Sequence, residues 1–171
     1  MLEIKTADEF VDPELEARWA RRRAARETAV LQRVLHLFAE RSGPIWVDEI
    51  VAGLRDHPAE AVRDSLSKLD AGDLIQLEDG RVEIAYPFSA GGTAFVVRLA
   101  AGHERFACCA IDALGIAPML GTHVHVRSRC HHSGSPLDFS VGPDGPGPEA
   151  QDVMVWVGRR CEGEQRISAS L

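Results

Sequence analysis

The chain has no uninterrupted apolar run near the ~20 residues that a membrane-crossing helix requires. Its opening residues, MLEIKTADEF, also lack the basic-then-apolar order of a secretory signal. A cytoplasmic protein is expected. Positive charge is short as well: 19 Lys and Arg stand against 26 Asp and Glu, a formal charge of −7. Such a surface repels phosphate backbones, so nucleic acid is not expected as a partner. Cysteine is scarce, and the four residues Cys108, Cys109, Cys130 and Cys161 are too unevenly spread to staple 171 residues with disulfides. Reduced thiols with a chemical or packing role follow. There is no internal repeat, and the length excludes a large multidomain enzyme, leaving one domain or a small one joined to a modest second.

With 45% apolar and 26% charged residues, the chain can bury a core. From Asp12 to Glu40 the composition is helical, with Leu31, Val34, Leu35 and Phe38 on one face. Upstream on the same stretch, Arg18, Arg21, Arg22, Arg23 and Arg26 interleave with Glu14, Glu16 and Glu27, a pattern of paired charges on a solvated face. Ser42-Gly43-Pro44 ends that helix, Val47 to Leu54 reads as a second, and Pro58 opens a third running to about Ala71 over Ala61, Val62, Ser65, Leu66 and Leu69. Leu74 to Leu77 and Arg81 to Ile84 then alternate as strands around Glu78-Asp79-Gly80. Three helices and a hairpin make a winged-helix-like pattern. The outward residues of the third helix are Glu60, Arg63, Asp64, Ser67, Lys68 and Asp70, too acidic for a helix that reads a major groove.

Ala90-Gly91-Gly92-Thr93 reads as a hinge. Beyond it, Ala94 to Leu99 and Gly121 to Arg127 read as strands, Phe106 to Leu120 as a helix bent or ended by Pro118, and Leu137 to Val141 and Val153 to Val157 as further strands. This predicts an α+β fold with a mainly antiparallel sheet, divided into a helical winged-helix-like domain at 1–88 and an α+β domain at 89–171.

On a helix, Cys109 and Asp112 stand at i and i+3, which puts a soft nucleophile beside a proton carrier. Thiolates select soft metals, and a sheltered carboxyl can serve as a general acid. A buried cysteine also packs as a small hydrophobe, so spacing alone leaves that reading open. His123, His125, His131 and His132 near Cys130 suggest a transition-metal site, but they supply no fixed ligand set. Cys108 reads as a packing or auxiliary thiol, since successive helical residues point about 100° apart.

The run Cys109-Ala110-Ile111-Asp112-Ala113-Leu114, then Pro118-Met119-Leu120-Gly121, a strand reaching Cys130 and Ser133-Gly134-Ser135-Pro136 together resemble the core of the organomercurial (alkylmercury) lyases. Ala85-Tyr86-Pro87-Phe88-Ser89 is similar to that family's interdomain segment. The resemblance implies protonolysis of carbon–mercury bonds by two cysteines and an aspartate. It puts the catalytic roles on Cys109 and Asp112 and makes Cys130 a structural thiol. The family's second catalytic cysteine precedes a Phe-rich stretch beyond the last strand. Here the sequence ends at Ser168-Ala169-Ser170-Leu171, so a chain truncated before that cysteine is expected. Cys161, set in Arg159-Arg160-Cys161-Glu162-Gly163-Glu164, is the downstream thiol that could join Cys109 on mercury. The implied partners are an organomercurial substrate and low-molecular-weight thiols. No organic cofactor is implied, since mercury enters and leaves as substrate and product. The alternative is a non-catalytic winged-helix protein that binds a soft metal through Cys109 or acts as a regulator.

Overall fold

A computed structural model of the protein describes residues 28–157 without interruption, together with residues 4–6, 9, 13, 17 and 20. Most of the expected helical stretch before Thr28 lies outside the described residues, as do residues 158–171. Helix α1, Thr28–Glu40, buries Val30, Leu31, Val34, Leu37 and Phe38. Their spacing of three and four residues makes one apolar stripe. A two-residue strand, β1 (Ile45–Trp46), leads into α2, Val47–Gly53, which buries Ile50. Helix α3, Ala59–Ala71, follows Pro58 and turns Val62, Ser65, Leu66 and Leu69 inward, while Ala61, expected on that stripe, is exposed.

Strands β2 (Ile75–Glu78) and β3 (Arg81–Ala85) form the expected hairpin. Asp79 and Gly80 both take positive φ, 48° and 76°, as a tight Asp-Gly turn requires. The sheet then continues through β4 (Phe88–Ser89), β5 (Phe95–Arg98), β6 (Glu104–Ala107), β7 (Val124–Arg129), β8 (Pro136–Gly142) and β9 (Gly145–Pro146). Its nine strands run in the order β1-β3-β4-β6-β5-β7-β8-β9, with β2 also on β3, and every pairing is antiparallel. Helix α4, Ala110–Leu120, buries Ala113, Ile116 and Ala117 and ends at Gly121 in the left-handed region. The fold is α+β, as expected, with a mainly antiparallel sheet. No helix among the described residues is long and apolar enough to cross a membrane.

Two expectations about strands and helices are corrected. Phe106 and Ala107 belong to β6, not to the following helix, because β6 is hydrogen-bonded to β4 on one side and β5 on the other. Pairing on both edges outweighs the local helical pattern. Val153 to Val157 form no strand: no described strand pairs with them, and Met154 and Trp156 are largely exposed. Alternation marks a potential strand, but only a neighbour completes its hydrogen bonds.

The expected boundary at 88/89 falls inside β4, whose two residues pair with β3 and with β6. The ring of Phe88 stacks on that of Phe38, 6.1 Å between centroids and 3° from parallel. Arg105 of β6, only 6% exposed, donates from Nε to the Phe38 carbonyl at 2.6 Å and from Nη2 to the Ala39 carbonyl at 2.9 Å. The last carbonyls of a helix have no intrahelical partner, and a cation there also meets the negative end of the helix dipole. One arginine thus ties the end of α1 to the strand that leads into Cys108 and Cys109.

Candidate active site

Strand β6 ends at Ala107, and helix α4 begins at Ala110. Cys108 and Cys109 occupy the junction. Cys109 is extended, φ −148° and ψ −178°, and serves as the N-cap of α4. Its sulfur accepts the Asp112 N–H at 3.4 Å, the reach of a cap to the third helical residue. Its S–H donates to Asp112 Oδ2 at 2.9 Å. The expected contact is therefore present, but Cys109 makes it from the cap and not from within the helix.

The site is sheltered, and that sets its proton chemistry. Burial first, and the hydrogen bond to the Asp112 carboxylate second, push the Cys109 thiol up to about 11, while the backbone N–H groups of Asp112 and Ile111 pull the other way. Burial likewise raises Asp112 above the usual carboxylate range, opposed by its hydrogen bonds with Cys109. The resting pair is accordingly a protonated thiol donating to a carboxylate. A soft cation that displaces the thiol proton finds an acceptor 2.9 Å away, and the sheltered carboxyl holds that proton more tightly than an exposed one would.

Cys108 is a different thiol. It is buried, its N–H donates to the Pro87 carbonyl at 3.0 Å, and its S–H donates to the Phe88 carbonyl at 3.3 Å. Burial drives it far above the usual thiol range, and the charges of Asp112 and Cys109 add to the effect. The two adjacent thiols have different partners, Cys108 the Phe88 carbonyl and Cys109 the Asp112 carboxylate. No spacing in the sequence announced the Pro87 and Phe88 carbonyls as the partners of Cys108.

Cys130 lies apart, at the turn between β7 and β8. Hydrogen bonds from the Ser133 hydroxyl and from the Ser133 and His132 N–H groups hold it below the usual thiol range. Cys161 lies outside the described residues. The histidines do not converge: His125 Nε2 meets Asp138 Oδ1, and the His123 ring lies over Gly142, where a Cβ would be 2.9 Å from Nε2. Among the described residues no group of three or more His, Cys, Asp or Glu side chains could hold a metal ion.

Three likenesses to known proteins bear on this site. Residues 88–170 match the family described as MerB, alkylmercury lyase. Over 111 residues the chain is 32% identical to an alkylmercury lyase of Staphylococcus epidermidis (strain ATCC 12228 / FDA PCI 1200), covering 65% of this chain and 49% of that protein. The chain thus spans about half the length of the curated relative it matches. The fold is similar to the crystal structure of the mercury-bound form of MerB2, with a TM-score of 0.62 and 20% identity over 80% of this chain and 66% of that one.

Proposed function

We propose, for a chain whose residues 88–170 match the alkylmercury lyase family, that Cys109 captures an organomercurial and that Asp112 supplies the proton that releases its organic group. The observation that carries this reading is the Cys109 S–H donating to Asp112 Oδ2 at 2.9 Å in a half-buried junction.

Capture is a thiol exchange. The substrate arrives as R–Hg–SR′ on a low-molecular-weight thiol, the Cys109 sulfur bonds mercury, and R′S⁻ leaves. The Cys109 proton passes to the Asp112 carboxylate. Mercury(II) is soft, which is why sulfur is the ligand it takes here. Ile111, 59% exposed and two residues on from Cys109, offers an apolar surface to the organic group.

Cleavage is the reverse proton movement with a different acceptor. A second thiolate adds to mercury and loads negative charge onto the carbon. The carbon–mercury bond pair then takes the Asp112 proton, and R–H leaves. Asp112 returns to carboxylate, and Hg(II) remains on Cys109 and the second sulfur. That second sulfur comes from a solution thiol or from Cys161. Burial raises Asp112 above the usual carboxylate range, which suits a group that must take up the thiol proton and then pass it on. The scheme requires no organic cofactor.

The test is release of hydrocarbon from a phenylmercury salt in excess thiol. The wild-type chain releases benzene, Cys109→Ser does not, and Cys130→Ser does, although the half-buried Cys130 also takes up mercury. Wild-type turnover in Cys109→Ser would remove the assignment. Mercury binding with no benzene from the wild type would favour a soft-metal binder.

A further inference from the structure

Resting on the lyase reading, we infer that Thr93 is a positioning residue for the Cys109 thiol. The junction before Cys109 is pinned from two sides. On one side the Pro87 and Phe88 carbonyls hold the N–H and S–H of Cys108. On the other side, where β5 pairs Phe95 with Ala107, one side chain adds a tie of its own. The Thr93 hydroxyl donates to the Ala107 carbonyl at 2.6 Å, across 14 residues of sequence, and accepts the Phe95 N–H at 3.2 Å.

Thr93 sits in the short link between β4 and β5, and Ala107 is the last residue of β6. Through the Phe95 N–H the hydroxyl is itself anchored to the start of β5, so it carries a fixed point of the sheet to the peptide that precedes Cys108. The Cys109–Asp112 contact needs that point. Asp112 is placed by α4, whereas the Cys109 sulfur is placed by where β6 ends and by the extended turn-off into the cap. With the hydroxyl gone, the Ala107 carbonyl loses this partner, and on that side the junction is held by the β5–β6 strand pairing without its side-chain tie. A misplacement of about 1 Å at a reacting pair can cost ~100-fold in rate.

The test uses the full chain with Thr93→Val, which keeps the shape and removes the hydroxyl, Thr93→Ala as a second hydroxyl-free variant, and Thr93→Ser, which restores the hydroxyl. Two readouts are taken: kcat and KM for benzene release from phenylmercury, and the rate of Cys109 alkylation by iodoacetamide, read by tandem mass spectrometry. Expected are a fall in kcat of about tenfold in Thr93→Val with KM within twofold of wild type, alkylation of Cys109 several-fold faster as the thiol leaves Asp112, and recovery of both in Thr93→Ser. Wild-type alkylation of Cys109 in both Thr93→Val and Thr93→Ala overturns the inference, as does a Thr93→Ser variant no better than Thr93→Val. If the wild-type chain releases no benzene, the lyase reading falls, and the alkylation comparison still decides the role of Thr93.

Discussion

Replacing Asp112 with Asn should move two reactions of Cys109 in opposite directions. In the wild type the thiol is raised from a usual value near 9 to about 11, with burial the larger cause and the Asp112 carboxylate the next. At neutral pH this lowers the thiolate fraction about a hundredfold. A more basic thiolate is a better nucleophile by roughly eightfold at a Brønsted slope of ~0.45. The net expectation for wild-type Cys109 is iodoacetamide alkylation about tenfold slower than an ordinary thiol. Asp112→Asn keeps the burial but removes the negative neighbour, so alkylation should speed up several-fold without reaching the ordinary rate. Organomercurial cleavage should instead collapse, because Asn neither accepts the thiol proton nor returns it to carbon. The assay is timed alkylation with site-resolved mass spectrometry beside benzene release on the same preparations. Slower alkylation of Cys109 in Asp112→Asn would refute the argument that the carboxylate holds this thiol protonated.

Arg105→Met should cost about 3 kcal/mol, since it strips the Phe38 and Ala39 carbonyls of a buried charged donor, each loss worth roughly 1–3 kcal/mol; urea denaturation with an unchanged slope would show it, and a loss below about 0.5 kcal/mol would contradict the role given to this arginine. Capture of phenylmercury by Cys109 should slow as pH falls through the raised value of Asp112, because protonation removes the acceptor for the thiol proton. The acid limb, read by quenched-flow mass spectrometry, should therefore lie above the usual carboxylate range, and a limb near 4 would count against it. Cys161→Ser should leave capture intact; if Cys161 is the second sulfur, benzene release in this variant becomes first order in added thiol, and if solution thiol already supplies it, the thiol dependence matches wild type.

What could be read in advance divides by range. The Cys109–Asp112 pairing was legible because a spacing of three brings a helix cap to its third residue as readily as it aligns two helical side chains, so the contact survives an error in where the helix starts. The Asp79-Gly80 turn was equally local. Strand β6 was not legible, because its four residues are a strand only by virtue of β4 and β5 on either edge. Nothing in the local sequence marks Arg105, and only the fold buries it against the end of α1. Cys108 was legible as a packing thiol, but its partner was not, because only the fold brings the Phe88 carbonyl to it.

The central claim is that the proton on Asp112 is the one delivered to carbon while mercury sits on Cys109. Single-turnover incubation of the full chain with phenylmercury and excess thiol, followed by intact-mass spectrometry and headspace detection of benzene, tests it most directly. In the wild type the phenylmercury adduct should decay as benzene appears. In Asp112→Asn the adduct should form on Cys109 and persist with its phenyl group attached. Release of benzene from Asp112→Asn at the wild-type rate would contradict the account.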